Sequence, residues 1–307
     1  VFVLTAILGA AGILAAAATV ATVIGSVHHA SMGVGHLEVA GLGLSYPKLN
    51  GAEWLLIGLA AVGATAITVA GRAVWRQRSA YRGFLDRLEV VGRLDGHPTV
   101  RVIASTRAEA FCAGYLRPSV YISQAALELL STPELDAVLA HEHHHRLVRD
   151  PLRFALGRIV SQALPFVPVL RLLRDRYEDL AEVNADRAAV RASAGRQTAL
   201  ASALLVFDAS APPGASGISP TRVDSLLGQP ARWRLPIALM AASLVAVSAV
   251  SVLTWQASGV ASVHATFNLP FLSSQPCVAL IALLPLLGCL VGFVRWLRAG
   301  RIGSRRG

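Results

Sequence analysis

The chain has 307 residues, 54% of them hydrophobic and only 15% charged, with a mean hydropathy of +0.55. Soluble domains carry roughly a quarter charged residues, so a disordered tail, a disulfide-rich module and a compact cytosolic enzyme are all disfavoured, and several stretches should face lipid. The net charge is +10, and Lys48 is the sole lysine among the 28 basic residues.

Crossing a hydrocarbon core takes about 20 apolar helical residues. The first uncharged run is Val1 to Val27, and the second is Trp54 to Gly71, bounded by Glu53 and Arg72. No Asp, Glu, Lys or Arg occurs from Leu235 to Val294, and a polar interval between Gln256 and Gln275 divides that stretch. Four transmembrane helices are therefore predicted, over about 3–26, 54–74, 235–256 and 276–297. A signal peptide is the competing reading of the first run, but it lacks a positively charged start and its apolar core is too long. Arg72, Arg76, Arg78 and Arg82 crowd the end of the second run, Arg232 and Arg234 precede the third, and Arg295, Arg298, Arg301, Arg305 and Arg306 follow the fourth. The positive-inside rule then puts both termini and the loop between spans two and three in the cytoplasm. Three segments follow: an N-terminal hairpin over 1–75, a cytoplasmic domain over 76–234, and a C-terminal hairpin with a basic tail over 235–307.

Topology accounts for the basic charge, and no aromatic-interleaved basic stripe points to direct nucleic-acid binding. Cys277 and Cys289 lie on one predicted helix, about 18 Å apart at 1.5 Å per residue, too far to bridge. With Cys112 they read as free thiols. His28, His29 and His36 lack ordered spacing and read as loop residues.

Within the loop, Thr99–Ile103 and Ser119–Ser123 alternate at period two and predict strands flanking Phe111-Cys112-Ala113-Gly114. A helix should begin at Ser131-Thr132-Pro133-Glu134, with Thr132 as N-cap and Pro133 at the first helical position, and should stop near Asp150-Pro151. It carries His141-Glu142-His143-His144-His145, an HExxH pattern. Residues four apart share a helix face, so His141 and His145 can offer nitrogens to one zinc ion, with Glu142 beside them as general base. The neighbouring histidines leave other pairs open, such as His141 with His144, and a solvated histidine-rich face is the plain alternative. Only the His141/His145 register puts Glu142 in the catalytic slot.

A third ligand is required. Glu182 and Asp186 share a face of a helix predicted from about Leu172 to Ala192, so Glu182 can complete a His₂Glu set while Asp186 orients a ligand histidine. The alternative is an acidic face paired with Arg187 or another nearby arginine. Residues 151–170 are apolar enough to suggest a fifth span, but they contain Arg153, Arg158, Pro165 and Pro168. Crossing would also put His141 and Glu182 on opposite sides of the membrane. The segment reads as interfacial or re-entrant, or else as a buried helical hairpin. Ala209 to Ser219 reads as a flexible linker, and Arg222 to Leu227 as a short closing helix.

These residues resemble the integral-membrane zinc metallopeptidases of the BlaR/MecR type and, more distantly, the HtpX-like membrane proteases. The resemblance rests on the spans, Ala110–Gly114, Leu130–Leu135, the HExxH helix and the Glu182 helix in the same order. It implies a mainly α membrane protein of a bacterial plasma membrane, with an α+β gluzincin-like protease domain between spans two and three. It also implies His141, His145 and Glu182 as ligands of one Zn²⁺, Glu142 as general base and Asp186 as their support. Phe111, Cys112, Ala113 and Gly114 would lie along the cleft, where substrate adds as an extra strand. The antibiotic sensors of that group carry a penicillin-binding domain after the last span, which this sequence lacks. The implied activity is endopeptidase cleavage of a cytoplasmic or membrane-proximal protein, with a BlaI/MecI-type repressor as the candidate partner. Quality-control proteolysis and a non-proteolytic metal-binding receptor or scaffold are the alternatives.

Overall fold

The computed structural model describes residues 1–25, 34–39, 42–47, 51–193, 197–211, 219–229 and 236–264. The chain divides into two compact units, residues 1–17 with 62–250, and residues 18–61 with 251–307. The second unit contains an antiparallel hairpin and a small apolar cluster of Val23, Leu56 and Ala257.

In chain order, helix α1 (Phe2–Gly25) is uncharged and is followed by the hairpin strands β1 (Val34–Val39) and β2 (Leu42–Pro47). Helix α2 (Gly51–Leu85) continues well beyond the expected end at residue 74, because Arg72 to Arg82 are mostly good helix formers with no proline among them. Strands β3 (Val90–Leu94), β4 (His97–Ile103), β5 (Ala110–Ala113) and β6 (Ser119–Ser123) form one sheet in the order β3-β4-β6-β5. Only β4 and β6 run parallel. Then come α3 (Gln124–Leu129), α4 (Thr132–Val148), α5 (Asp150–Ala163), α6 (Val169–Ala192), α7 (Gln197–Ser210), α8 (Pro220–Leu226) and α9 (Ile237–His264).

Among the described residues three helices are long and apolar enough to cross a membrane: Phe2–Ile24, Trp54–Leu85 and Ile237–Ala257. The fourth predicted span, Cys277, Cys289, His28 and His29 lie outside the described residues. His36 falls in β1 rather than in a loop.

The sheet's period-two alternation turns Val100, Val102, Val120 and Ile122 to one face, where they bury against Val138 and Leu139 of α4. Helix α4 starts one residue earlier than expected. Its N-cap is Ser131, not Thr132, and Glu134 accepts both the Ser131 backbone N–H and its hydroxyl at 2.8 Å. The capping box decides this, since Glu134 is the third residue after Ser131 and only the second after Thr132. At the other end Arg149 adopts the left-handed region (φ 57°, ψ 43°) and Pro151 prevents continuation, so α4 ends and α5 begins at Asp150.

Residues 151–170 form α5, a turn and the start of α6. Leu164, Val167, Val169, Leu170 and Leu173 at the turn are buried against Leu8 and Ala16 of α1 and Ala66 of α2. Close approach depends on two glycines of α1. A Cβ at Gly9 would come within 2.4 Å of Val160, and one at Gly12 within 2.6 Å of Leu164. The first N–H of α6 has no intrahelical acceptor, and Ser243 Oγ of α9 accepts it from Val169 at 3.4 Å.

Candidate metal centre

Helix α4 stacks His141 and His145 one turn apart, both buried, with their Nε2 atoms 3.1 Å from each other. Glu182 reaches the same point from α6. Its Oε2 is 3.6 Å from His141 Nε2, and its Oε1 is 3.5 Å from His145 Nε2. The three ligand atoms lie within 4.8 Å of one another, a group that could hold a metal ion. His143 is exposed and His144 is not part of this group, so the pairing of His141 with His144 does not meet Glu182.

The donor set fits a cation on physical grounds. His145 Nδ1 faces the buried Asp150 Oδ2 at 2.8 Å, which places the ring proton on Nδ1 and leaves the Nε2 lone pair pointing at His141. Two nitrogens at 3.1 Å need a proton or a cation between them. Without a metal, His141 supplies the proton. Burial opposes its charge, but the adjacent carboxylates of Asp186 and Glu182 outweigh burial and raise its pKa from 6.5 to about 9. A histidine raised in this way stabilises the fold fully below about pH 6.5, and the contribution is lost as pH climbs through 9. The melting temperature of chelator-treated protein is therefore expected to fall between those pH values. With metal present the fall should be absent, because the metal takes the same lone pair. Parallel thermal melts with and without chelator check this.

Three groups missed in the sequence reading support these candidate ligands. Asp150 begins α5, where a carboxylate suits the helix N-terminus, and Arg149's left-handed turn folds it back beneath His145. It also accepts the Tyr177 hydroxyl from α6, which in turn accepts from Arg153 Nη1 at 3.2 Å. Phe2 of α1 packs on Tyr177, ring centres 5.4 Å apart, so the first residues of an apolar helix touch this support. The third group is Arg222 of α8, which donates to Asp186 from Nε at 2.9 Å and from Nη2 at 2.7 Å, with Nη1 3.2 Å from Glu182 Oε2. The acidic face thus does find an arginine, but one 36 residues beyond Asp186 rather than the neighbouring Arg187. Asp186 Oδ1 is also 3.0 Å from His141 Nδ1, although the two are not in hydrogen-bond alignment. Asp150 precedes a proline and so resembles a helix stop, and nothing local marks Arg222. Their positions depend on a backbone turn and on tertiary docking.

Beside the three ligands a cleft of about 460 Å³ opens, lined by Phe111 and Cys112 of β5, Glu142 of α4, Phe154 of α5, and Leu204 and Phe207 of α7. Burial raises the Glu142 pKa, opposed by the two nearby histidines. A carboxylate so held is a stronger base than a solvated one. The Cys112 thiol is pushed up to about 12, first by burial and then by Glu142, and stays protonated. β5 is the end strand of its sheet, with no strand on its other edge among the described residues. Ala113 closes β5 outside the cleft lining. Gly114 follows at φ +119°, where a Cβ would lie 2.9 Å from Pro118 Cα, so the turn out of the strand requires glycine. Phe84 of α2 packs edge-on against Phe111 at 5.3 Å, so the cleft wall rests on an extension of an apolar helix.

Residues 76–207 match Peptidase family M48. That stretch holds β5, the HExxH helix and the Glu182 helix. A curated relative, a Protease HtpX homolog of Acaryochloris marina (strain MBIC 11017), is 29% identical over 151 residues, which are 44% of this chain and 50% of the relative. The chain thus spans about half the length of the relative it matches. No solved structure matches it significantly. The matched stretch is thus similar to a metallopeptidase family, and the His141, His145 and Glu182 group is compatible with a bound metal. Of the two groups that the sequence resembles, these matches fall on the HtpX-like side.

Proposed function

We propose that the protein is a multi-pass membrane zinc endopeptidase of the HtpX-like kind, acting on the cytoplasmic side on membrane proteins or membrane-proximal segments. The observation that carries this reading is the convergence of His141, His145 and Glu182 beside Glu142 in a cleft walled by β5, which has no strand on its other edge among the described residues. The two histidine nitrogens lie 3.1 Å apart, and each has one Glu182 oxygen within 3.6 Å, spacings compatible with zinc. Tetrahedral bonds of about 2.0–2.2 Å place neighbouring ligands roughly 3.3–3.5 Å apart.

Zinc, when bound, supplies Lewis acidity that polarises a carbonyl and lowers the pKa of water. The chain's own residues do the rest. Glu142 accepts the proton of the attacking water and returns it to the leaving amine. The free edge of β5 at Phe111 and Cys112 binds the substrate backbone as an added strand, with Ala113 and Gly114 ending that platform. Asp150 and Asp186 hold the histidine rings in orientation.

The discriminating experiment incubates detergent-purified, zinc-supplemented protein with two substrates, an unfolded polytopic membrane protein and a folded BlaI/MecI-type repressor. Chelator-sensitive cleavage of the first supports this reading. Selective cleavage of the repressor would move the function to signal relay. Cleavage of neither, with zinc bound, would favour a receptor or scaffold whose metal is structural.

A further inference from the structure

We infer that Arg222 is a positioning residue for the metal ligand Glu182, and that the short helix α8 completes the metal site. This rests on reading His141, His145 and Glu182 as a metal site. Arg222 lies outside the stretch that matches the peptidase family, and its helix is separated from α7 by the linker around residues 212–218.

One guanidinium serves both carboxylates of α6. Nη1 faces Glu182 Oε2 at 3.2 Å, while Nη2 and Nε engage the two oxygens of Asp186 at 2.7 and 2.9 Å. Two of the oxygens it engages also face His141. Glu182 Oε2 is 3.6 Å from His141 Nε2, and Asp186 Oδ1 is 3.0 Å from His141 Nδ1. Glu182 Oε1 lies 3.5 Å from His145 Nε2. Arg222 therefore restrains the Glu182 carboxylate through Oε2, while Oε1 faces His145.

The physical need is plain. Glu182 and Asp186 are like charges four residues apart on one helix face, an arrangement that repels. Asp186 is buried, and a buried carboxylate without a cation resists ionisation. Glu182 is partly exposed on a flexible side chain. A planar fork with fixed donors orients two carboxylates in a way that a point charge cannot. Arg222 is itself buried, and its helix is seated by Leu226 against a cluster containing Ala137, Ala189 and Leu200. The site is thus assembled from α4, α6 and α8, and only residues 227–236 join α8 to the apolar helix α9.

The test uses the full chain in detergent with Zn²⁺ and Co²⁺ alone as probes. Affinity is measured by chelator competition and coordination by the Co²⁺ visible spectrum. Arg222→Ala is expected to weaken Zn²⁺ binding about 10–100-fold, the usual effect of removing a group that orients a ligand, and to alter the Co²⁺ bands. Arg222→Lys should recover only part of the affinity. Wild-type affinity and an unchanged spectrum in folded Arg222→Ala would overturn the inference, and a lowered melting temperature alone would reduce Arg222 to a staple for α8. If Arg222→Ala fails to fold, Arg222→Lys decides alone, and wild-type affinity there overturns the inference too. Failure of the wild-type protein to take up either ion would instead defeat the metal-site reading beneath it.

Discussion

Replacing Glu142 by Gln is expected to abolish proteolysis while leaving the metal in place. The substitution keeps the size of the side chain and removes the one carboxylate of the HExxH helix that lines the cleft without belonging to the ligand group. Loss of a general base lowers the rate about 10²–10⁴-fold. Metal content per chain and the melting temperature of the metal-bound protein should stay at wild-type values, because His141, His145 and Glu182 are untouched. Burial already pushes the Glu142 carboxyl towards its neutral form, so Gln suits this environment. Paired measurements of bound metal and of cleavage of a membrane-protein substrate check the expectation. Undiminished cleavage in the variant would remove Glu142 from the mechanism and with it the HExxH reading.

The second large effect is expected at Asp150. Its buried carboxylate receives His145 Nδ1 at 2.8 Å and the Tyr177 hydroxyl. Asp150→Asn keeps the shape but loses the charge that fixes the His145 ring. Metal affinity should fall about 10–100-fold, with little change in the melting temperature of the metal-free protein. Asp150→Ala should lose the same affinity and in addition about 1–3 kcal/mol of stability for each buried partner left unsatisfied. Chelator competition and denaturant unfolding separate the two. Wild-type affinity in Asp150→Asn would show that the ring is held by packing alone, for which Phe154, 6.4 Å from the His145 ring centre, is the candidate.

Asp150 also shows where sequence reasoning stops. His141, His145 and Glu182 could be proposed as a set because the helical repeat alone puts residues four apart on one face, and because each zinc ligand comes from a short list of residue types. That Glu182 comes within 3.5 Å of His145 required α6 to pack against α4, which helical periodicity does not specify. Asp150 depends on a single left-handed residue, Arg149, that no glycine or asparagine announces. Arg222 depends on a seven-residue helix docking across a linker. The N-cap at Ser131 was within reach of the sequence, since the Ser-x-x-Glu spacing points to it once Glu134 is counted from the right residue.

The apolar, arginine-rich sequence by itself determined that the chain has segments long enough to cross a membrane. Free energy of transfer is nearly additive along a chain, so runs of residues report it without a structure. Local periodicity determined the strands β4 and β6 and the HExxH helix, because side-chain direction repeats with the backbone. Only the tertiary structure decided that residues 151–170 pack as a helical hairpin on the glycines of α1, that β5 ends its sheet beside the ligands, and that Asp150, Tyr177 and Arg222 complete their surroundings. Hydrogen bonds and ion pairs between distant residues hold at separations of about 3 Å. Such contacts exist only after the backbone has turned, and no pattern along the chain encodes them.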